Sequence, residues 1–267
     1  MTGNFLENFR HFLTMITQKI IYDLGSNNGS DLPYYLKKSD LVVAVEASPA
    51  LCERIRFSFA NEIRAGKLIV ENCVLVAERN VLTVPFYIHK KNHVLSQLPR
   101  PKEKVLSDFE CVELPAKNVA GLIEAIGAPY YVKIDVEHYD QEILKTLFSA
   151  GIFPPYISAE SHSSEIFSIL VAIGGYKAFK LVDGPSVSTK YRDYQIEVAG
   201  STEGYSFPHH SAGPFGSDIK GPWMTPDNFF RLLGLVGLGW KDIHASKRDS
   251  PDQSYMPKSQ FRLVVDF

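Results

Sequence analysis

Two groups of acids and histidines stand at the ends of apolar runs, which is where an open α/β sheet binds its ligands. Val132-Lys133-Ile134-Asp135-Val136-Glu137 carries two carboxylates just past such a run, with His138 beside them. Ser158-Ala159-Glu160-Ser161-His162 ends the next run and turns Glu160 and His162 toward the same crevice. An imidazole there could take a proton from an acceptor, because it titrates near neutral pH, and a carboxylate could orient the acceptor or stabilise developing charge. Upstream, Ile20-Ile21-Tyr22-Asp23-Leu24-Gly25-Ser26-Asn27-Asn28-Gly29-Ser30 leads an apolar strand into an acid and a Gly-rich turn. Gly25 and Gly29 let backbone approach a ligand closely, and Asn27 is of the non-Gly type that best accepts a left-handed conformation. The next apolar run, 41–45, delivers Glu46 about 20 residues after the turn, placed to accept hydrogen bonds from both ribose hydroxyls. These features imply an adenosine-type cofactor.

A dinucleotide would need three glycines and a bare helix N-terminus for its pyrophosphate. Here the middle glycine is replaced by Asn27, and Asp23 would repel a diphosphate yet could hold the ammonium of a methionine moiety. The sulfonium cofactor S-adenosyl-L-methionine fits this turn better. Adenine would lie across the ends of the second and third strands, which makes Ala47, Asn72, Cys73 and Val74 its candidate contacts, with Asn72 able to supply a directional hydrogen bond.

Positioning these groups requires alternating strands and helices. Strands are expected from Ile20 into Asp23 and at 41–45, 68–74, 81–88, 111–114, 130–136, 156–159, 176–182 and 261–267, and helices from Ser48-Pro49 to Gly66 and at 119–126, 141–149, 164–173 and 226–237. The run at 130–136 is the most apolar and reads as the central strand. Residues 1–19 place Phe5, Phe9, Phe12 and Ile16 at helical spacing, an amphipathic lead-in helix rather than a signal peptide. The division expected is this helix, a cofactor-binding core over 20–182, an insertion over 183–260 and a last core strand at 261–267. The insertion is rich in Gly, Pro, His and aromatics and reads as an acceptor-binding lid that brings His210 and Trp223 over the site. Its tip, 205–222, is expected to be dispensable for cofactor binding.

Asp23-x-Gly25 with Asn27 and Gly29, Glu46 after the second strand, and Lys133-Ile134-Asp135-Val136-Glu137 followed by Glu142-Ile143-Leu144 resemble the FkbM family of S-adenosylmethionine-dependent methyltransferases. The resemblance covers roughly 20–182. It implies a Rossmann-like class I methyltransferase fold: a seven-stranded, mostly parallel sheet with helices on both faces and an antiparallel last strand. It also implies O-methylation of a hydroxyl on a small molecule or glycan. The family usually has Gly where this chain has His138, so His138 stands as either a base or a turn residue. Asp135 is expected near the sulfonium or the acceptor, with His162 as a second candidate base. Asp135, Glu160 and His162 could together ligate a divalent cation, but no close-spaced ligand motif is present and no metal is assigned.

The chain has 267 residues, 45% hydrophobic, with a net charge of −2, which suits one α/β domain and no concentrated basic surface for nucleic acid. Cys52, Cys73 and Cys111 lack paired spacing, which suits free thiols and a cytoplasmic setting. No apolar run approaches the ~20 residues of a membrane span. The rival readings are a nicotinamide-dependent oxidoreductase, which also uses a ribose-binding acid, and a catalytically silent cofactor-binding protein.

Overall fold

The computed structural model describes residues 18–255 and Pro257. The expected lead-in helix at 1–19 and the strand at 261–267 therefore lie almost wholly outside the described residues. In chain order the strands are β1 (Ile20–Leu24), β2 (Leu41–Glu46), β3 (Leu68–Asn72), β4 (Val74–Val76), β5 (Thr83–His89), β6 (Phe109–Asn118), β7 (Pro129–Ile134), β8 (Tyr156–Ser161), β9 (Ala178–Asp183), β10 (Tyr194–Val198), β11 (Ser201–Tyr205) and β12 (Gly239–Ser246). Seven form one sheet in the order β3-β2-β1-β7-β8-β12-β9. β1 pairs in parallel with both β2 and β7, and β12 alone runs antiparallel, between β8 and β9. This is the expected α/β class, with β7 at the centre.

Alternation along the strands feeds two cores. Ile20, Tyr22 and Leu24 of β1, with Leu41, Val43 and Val45 of β2, face a core built against the helices Val119–Ile126, Asp140–Ser149, Ser164–Ala172 and Pro226–Val236. Ile21, Val42, Ala44 and Tyr131 face the opposite side. Strands buried on both faces need continuous apolar sequence, which is why β1, β2 and β7 are so plainly legible.

The second face corrects the expected organisation. Beside the Leu32–Lys38 helix it is covered by Val187, Tyr191, Ile196, Phe207, Phe215, Ile219 and Trp223, all from the stretch expected to be a lid. Phe215 stacks on Tyr131 at 4.1 Å and 7°. Asp31 accepts the Ala212 N–H at 3.1 Å and the Ser211 hydroxyl, and Tyr34 donates to Asp218 at 2.8 Å. Residues 205–222 are thus part of the sheet's cover, not a dispensable tip. The whole expected insertion, 183–260, also holds the β10–β11 hairpin, whose turn residues Ala199 and Gly200 both have positive φ, and the seventh strand of the sheet, β12. β12 escaped notice because Asp242, His244 and Ser246 put polar side chains on alternate buried positions.

β3 ends at Asn72, and the chain steps into a separate three-stranded sheet in which β4 pairs with β6, and β6 with β5. That small sheet stands at the carboxyl ends of the large one and closes one side of the site.

Candidate functional site

A cavity of about 550 Å³ opens at the carboxyl ends of β1, β2 and β7. Its wall includes Gly25, Asn27, Glu46, Ala47, Cys73, Asp135, His138 and His162 from the residues singled out in the sequence. Gly25 explains why the turn after β1 is shaped as it is. Its φ is +87°, and a Cβ there would fall 1.8 Å from the Asp135 carbonyl oxygen, so only glycine permits the β1 and β7 ends to come together. Asn27 takes φ +49° as anticipated. Its backbone N–H donates to Glu46 Oε2 and that of Ser48 to Glu46 Oε1, both at 2.8 Å. Burial pushes the Glu46 carboxyl up to about 7, against the two backbone donors and Lys133, which favour the ionised form.

Beneath the turn lies Lys133. Its Nζ donates to the Gly25 carbonyl at 2.9 Å and sits 3.2 Å from Asp135 Oδ2 and 3.4 Å from Asp23 Oδ1. Burial alone would lower this ammonium; Asp135 and Asp23 reverse that and hold it charged. Asp23 is 1% exposed and lies behind the wall, paired with Lys133. Asn28 and Gly29 are also outside the wall: the Asn28 amide oxygen accepts the Ser30 N–H, and Gly29 turns the chain at φ +76°. Asn72 spends its amide N–H groups on the Glu46 and Ala47 carbonyls at 3.0 and 2.9 Å, fixing the loop after β2 rather than facing a base.

The other wall collects histidines. Glu137 and His138 follow β7 with φ of +36° and +64°, two consecutive non-glycine residues in left-handed geometry. The His138 ring centre is 5.2 Å from that of His162. Nε2 of His162 lies 3.0 Å from Glu160 Oε2 and 3.9 Å from Glu137 Oε2. Burial and the His162 charge both depress the His138 pKa. Burial would depress His162 as well, but Glu160, Asp140 and Glu137 outweigh it and raise the group.

Several wall residues were missed. His93, Val94, Leu95, Ser96 and Leu98 come from the polar, basic stretch after β5, where the signal was the apolar Val94-Leu95 pair. Trp240 also lines the cavity, stacked on His210 at 5.9 Å and 24°. Trp223, expected over the site, is instead buried against Tyr156 under the Lys180 ammonium.

No family model matches the chain, and neither does any curated protein. Solved structures of similar topology include a putative methyltransferase, yhhF, from Escherichia coli, at 14% identity and TM-score 0.32 over 60% of this chain and 69% of that one. A spermidine synthase from Thermotoga maritima superposes at 9% identity and TM-score 0.37, over 88% of this chain and 54% of that one. A SAM-dependent O-methyltransferase from Thermotoga maritima does so at 7% identity and TM-score 0.37, over 92% and 66%. The chain thus spans about half to two thirds of the length of these proteins. Among the described residues no helix is long and apolar enough to cross a membrane.

Proposed function

We propose that this chain is an S-adenosyl-L-methionine-dependent methyltransferase that methylates a hydroxyl of a small molecule or glycan. The observation that carries the reading is the Glu46 carboxylate on the cavity wall, with one lone pair of each oxygen held by a backbone N–H and the remainder free for the two ribose hydroxyls. The turn after β1 also disfavours a dinucleotide. Asn28 and Gly29 lie outside the wall, so no row of N–H groups faces the cavity to cradle a pyrophosphate. The carboxylates that do face it, Asp135 among them, would repel a diphosphate and attract a sulfonium.

Ala47 and Cys73 flank the adenine end, and Gly25 and Asn27 flank the ribose and methionine portions. On the far wall the acceptor hydroxyl would attack the sulfonium methyl: an O–C bond forms, the S–C bond breaks, and the hydroxyl proton passes to His138. S-adenosylhomocysteine leaves neutral at sulfur. His162, held by Glu160, positions the acceptor, while His210 and Trp240 give it an aromatic flank. The FkbM resemblance adds the expectation of an oxygen acceptor.

Calorimetric titration with S-adenosylmethionine, S-adenosylhomocysteine, NAD and NADH tests the reading. One site for the first two is expected; saturable dinucleotide binding without them would overturn it. A screen of hydroxylated metabolites and sugars with methyl-labelled cofactor then identifies the acceptor.

A further inference from the structure

We propose that Glu137, Glu160 and His162 form a binding site for one divalent first-row transition cation of the manganese, cobalt or zinc type. One ligand atom from each residue lies within 4.8 Å of the other two. Ligands 2.0–2.2 Å from a shared ion stand roughly 3–3.5 Å apart, and the pairs at Nε2 of His162 measure 3.0 and 3.9 Å. Small side-chain rotations close that difference. The three residues arrive on two neighbouring elements, Glu137 in the left-handed turn after β7 and Glu160 and His162 at the end of β8. All three line the cavity, so an ion held there keeps positions open toward it.

The surroundings ask for a cation. Asp135 and Asp140 add two carboxylates to Glu137 and Glu160, and the neighbouring ammonium, Lys133, is already engaged by Gly25, Asp23 and Asp135. One unspent acceptor points the same way. Asp140, 2% exposed and in the electrostatic neighbourhood of Asp135, His162 and Glu160, uses Oδ1 to accept the Val136 N–H and leaves buried Oδ2 without a partner among the described residues. Unpaired buried acceptors are costly in a protein interior unless something positive takes them up. The imidazole decides the ion's class. Magnesium and calcium favour all-oxygen sets, whereas one nitrogen with two carboxylates suits the later, softer divalent ions. On the methyl-transfer reading this ion would face the acceptor oxygen; that consequence rests on the reading, whereas occupancy of the site does not.

The test uses the full chain, stripped with chelator and titrated calorimetrically with manganese, cobalt, zinc and magnesium chlorides, without cofactor or acceptor. Expected are one saturable site for at least one of the first three ions and binding about tenfold or more weaker for magnesium. His162→Ala and Glu160→Gln should each weaken binding about tenfold or more, while His209→Ala should not. Because a core variant can misfold, Glu137→Gln, which removes a ligand charge in the turn rather than in a strand, is measured in parallel and should also weaken binding, and manganese broadening of the His162 ring resonances is followed in the unsubstituted protein. Absence of saturable binding, or binding undiminished in folded His162→Ala and Glu160→Gln with no broadening at His162, would overturn the proposal. Failure of S-adenosylmethionine to bind would leave the metal result untouched, so the two readings fail separately.

Discussion

The two walls of the cavity are made in different ways. The wall at β1 and β2 is backbone: Gly25 and Asn27 in left-handed geometry, two N–H groups aimed at Glu46, and the Asp135 carbonyl just past β7 packed where a side chain would otherwise stand. The opposite wall is side chains gathered from four separate stretches, Glu137-His138, Glu160 to His162, His210 and Gly239-Trp240. A backbone wall ties recognition to the fold itself. A side-chain wall can be altered while the fold stands, which suits the half of a site that must match a particular acceptor.

Substitutions can break that contrast, beginning with the most damaging. Gly25→Ala forces a Cβ to within 1.8 Å of the Asp135 carbonyl at φ +87°. It should destabilise the protein by about 4 kcal/mol or more, read as a fall in Tm of roughly 10 °C. A thermal midpoint near that of the parent would show that the backbone wall is more pliable than its geometry indicates.

Phe215→Ala tests what supports the side-chain wall. Phe215 is buried and stacked on Tyr131, a few residues past His210 and past the Asp31 contacts that anchor Ser211 and Ala212. A loss of about 3–5 kcal/mol is expected in denaturant unfolding. A neutral effect would restore the idea of a loosely attached lid.

Glu46→Ala should leave the fold intact and weaken S-adenosylmethionine about tenfold or more, since two charge-assisted hydrogen bonds are removed. Its pH dependence sharpens the point. Ribose hydroxyls donate to the ionised carboxylate, so they bind the deprotonated form, and with the free group pushed up to about 7, affinity should rise as pH increases through that value and then level off. Methylthioadenosine is the suitable probe, because it brings no ionisable group in this range, and Glu46→Gln should flatten the profile. A flat profile in the parent would mean that the ribose does not meet Glu46.

The mildest change is His138→Gly. With φ at +64°, glycine relieves strain and should stabilise the protein by about 1 kcal/mol. Methyl transfer should nevertheless slow, with cofactor affinity within about twofold. Faster or unchanged turnover would make His138 a turn residue only.

The contrast between the walls also explains what could be read from sequence. Gly25, Asn27 and Glu46 are joined by short chain separations and by local rules of strand, turn and strand, so their roles follow from order along the chain. β1, β2 and β7 are mainly apolar, each with one charged residue, Asp23, Glu46 and Lys133, and were placed to within a residue or two. His210, Trp240 and the Val94-Leu95 edge reach the cavity only through tertiary packing, which no local pattern records. β12 hid for a different reason: Asp242 and His244 are buried, and a strand with polar inner positions looks like a loop. Asp23 and Asn72 read as cofactor contacts, whereas in the fold Asp23 pairs with the Lys133 ammonium and Asn72 donates to the carbonyls after β2, partners too distant in sequence for a local pattern to record.

The chain has two tryptophans, and the fold has set them in unlike surroundings. Trp223, 7% exposed, sits against Tyr156 inside the sheet's cover, whereas Trp240, 37% exposed, faces the cavity on His210. An indole shielded from water emits at shorter wavelength than one in contact with it. The protein's light therefore carries two separable colours: a blue component that is lost when the sheet's cover unfolds, and a redder one that changes when something enters the cavity while the blue stays fixed.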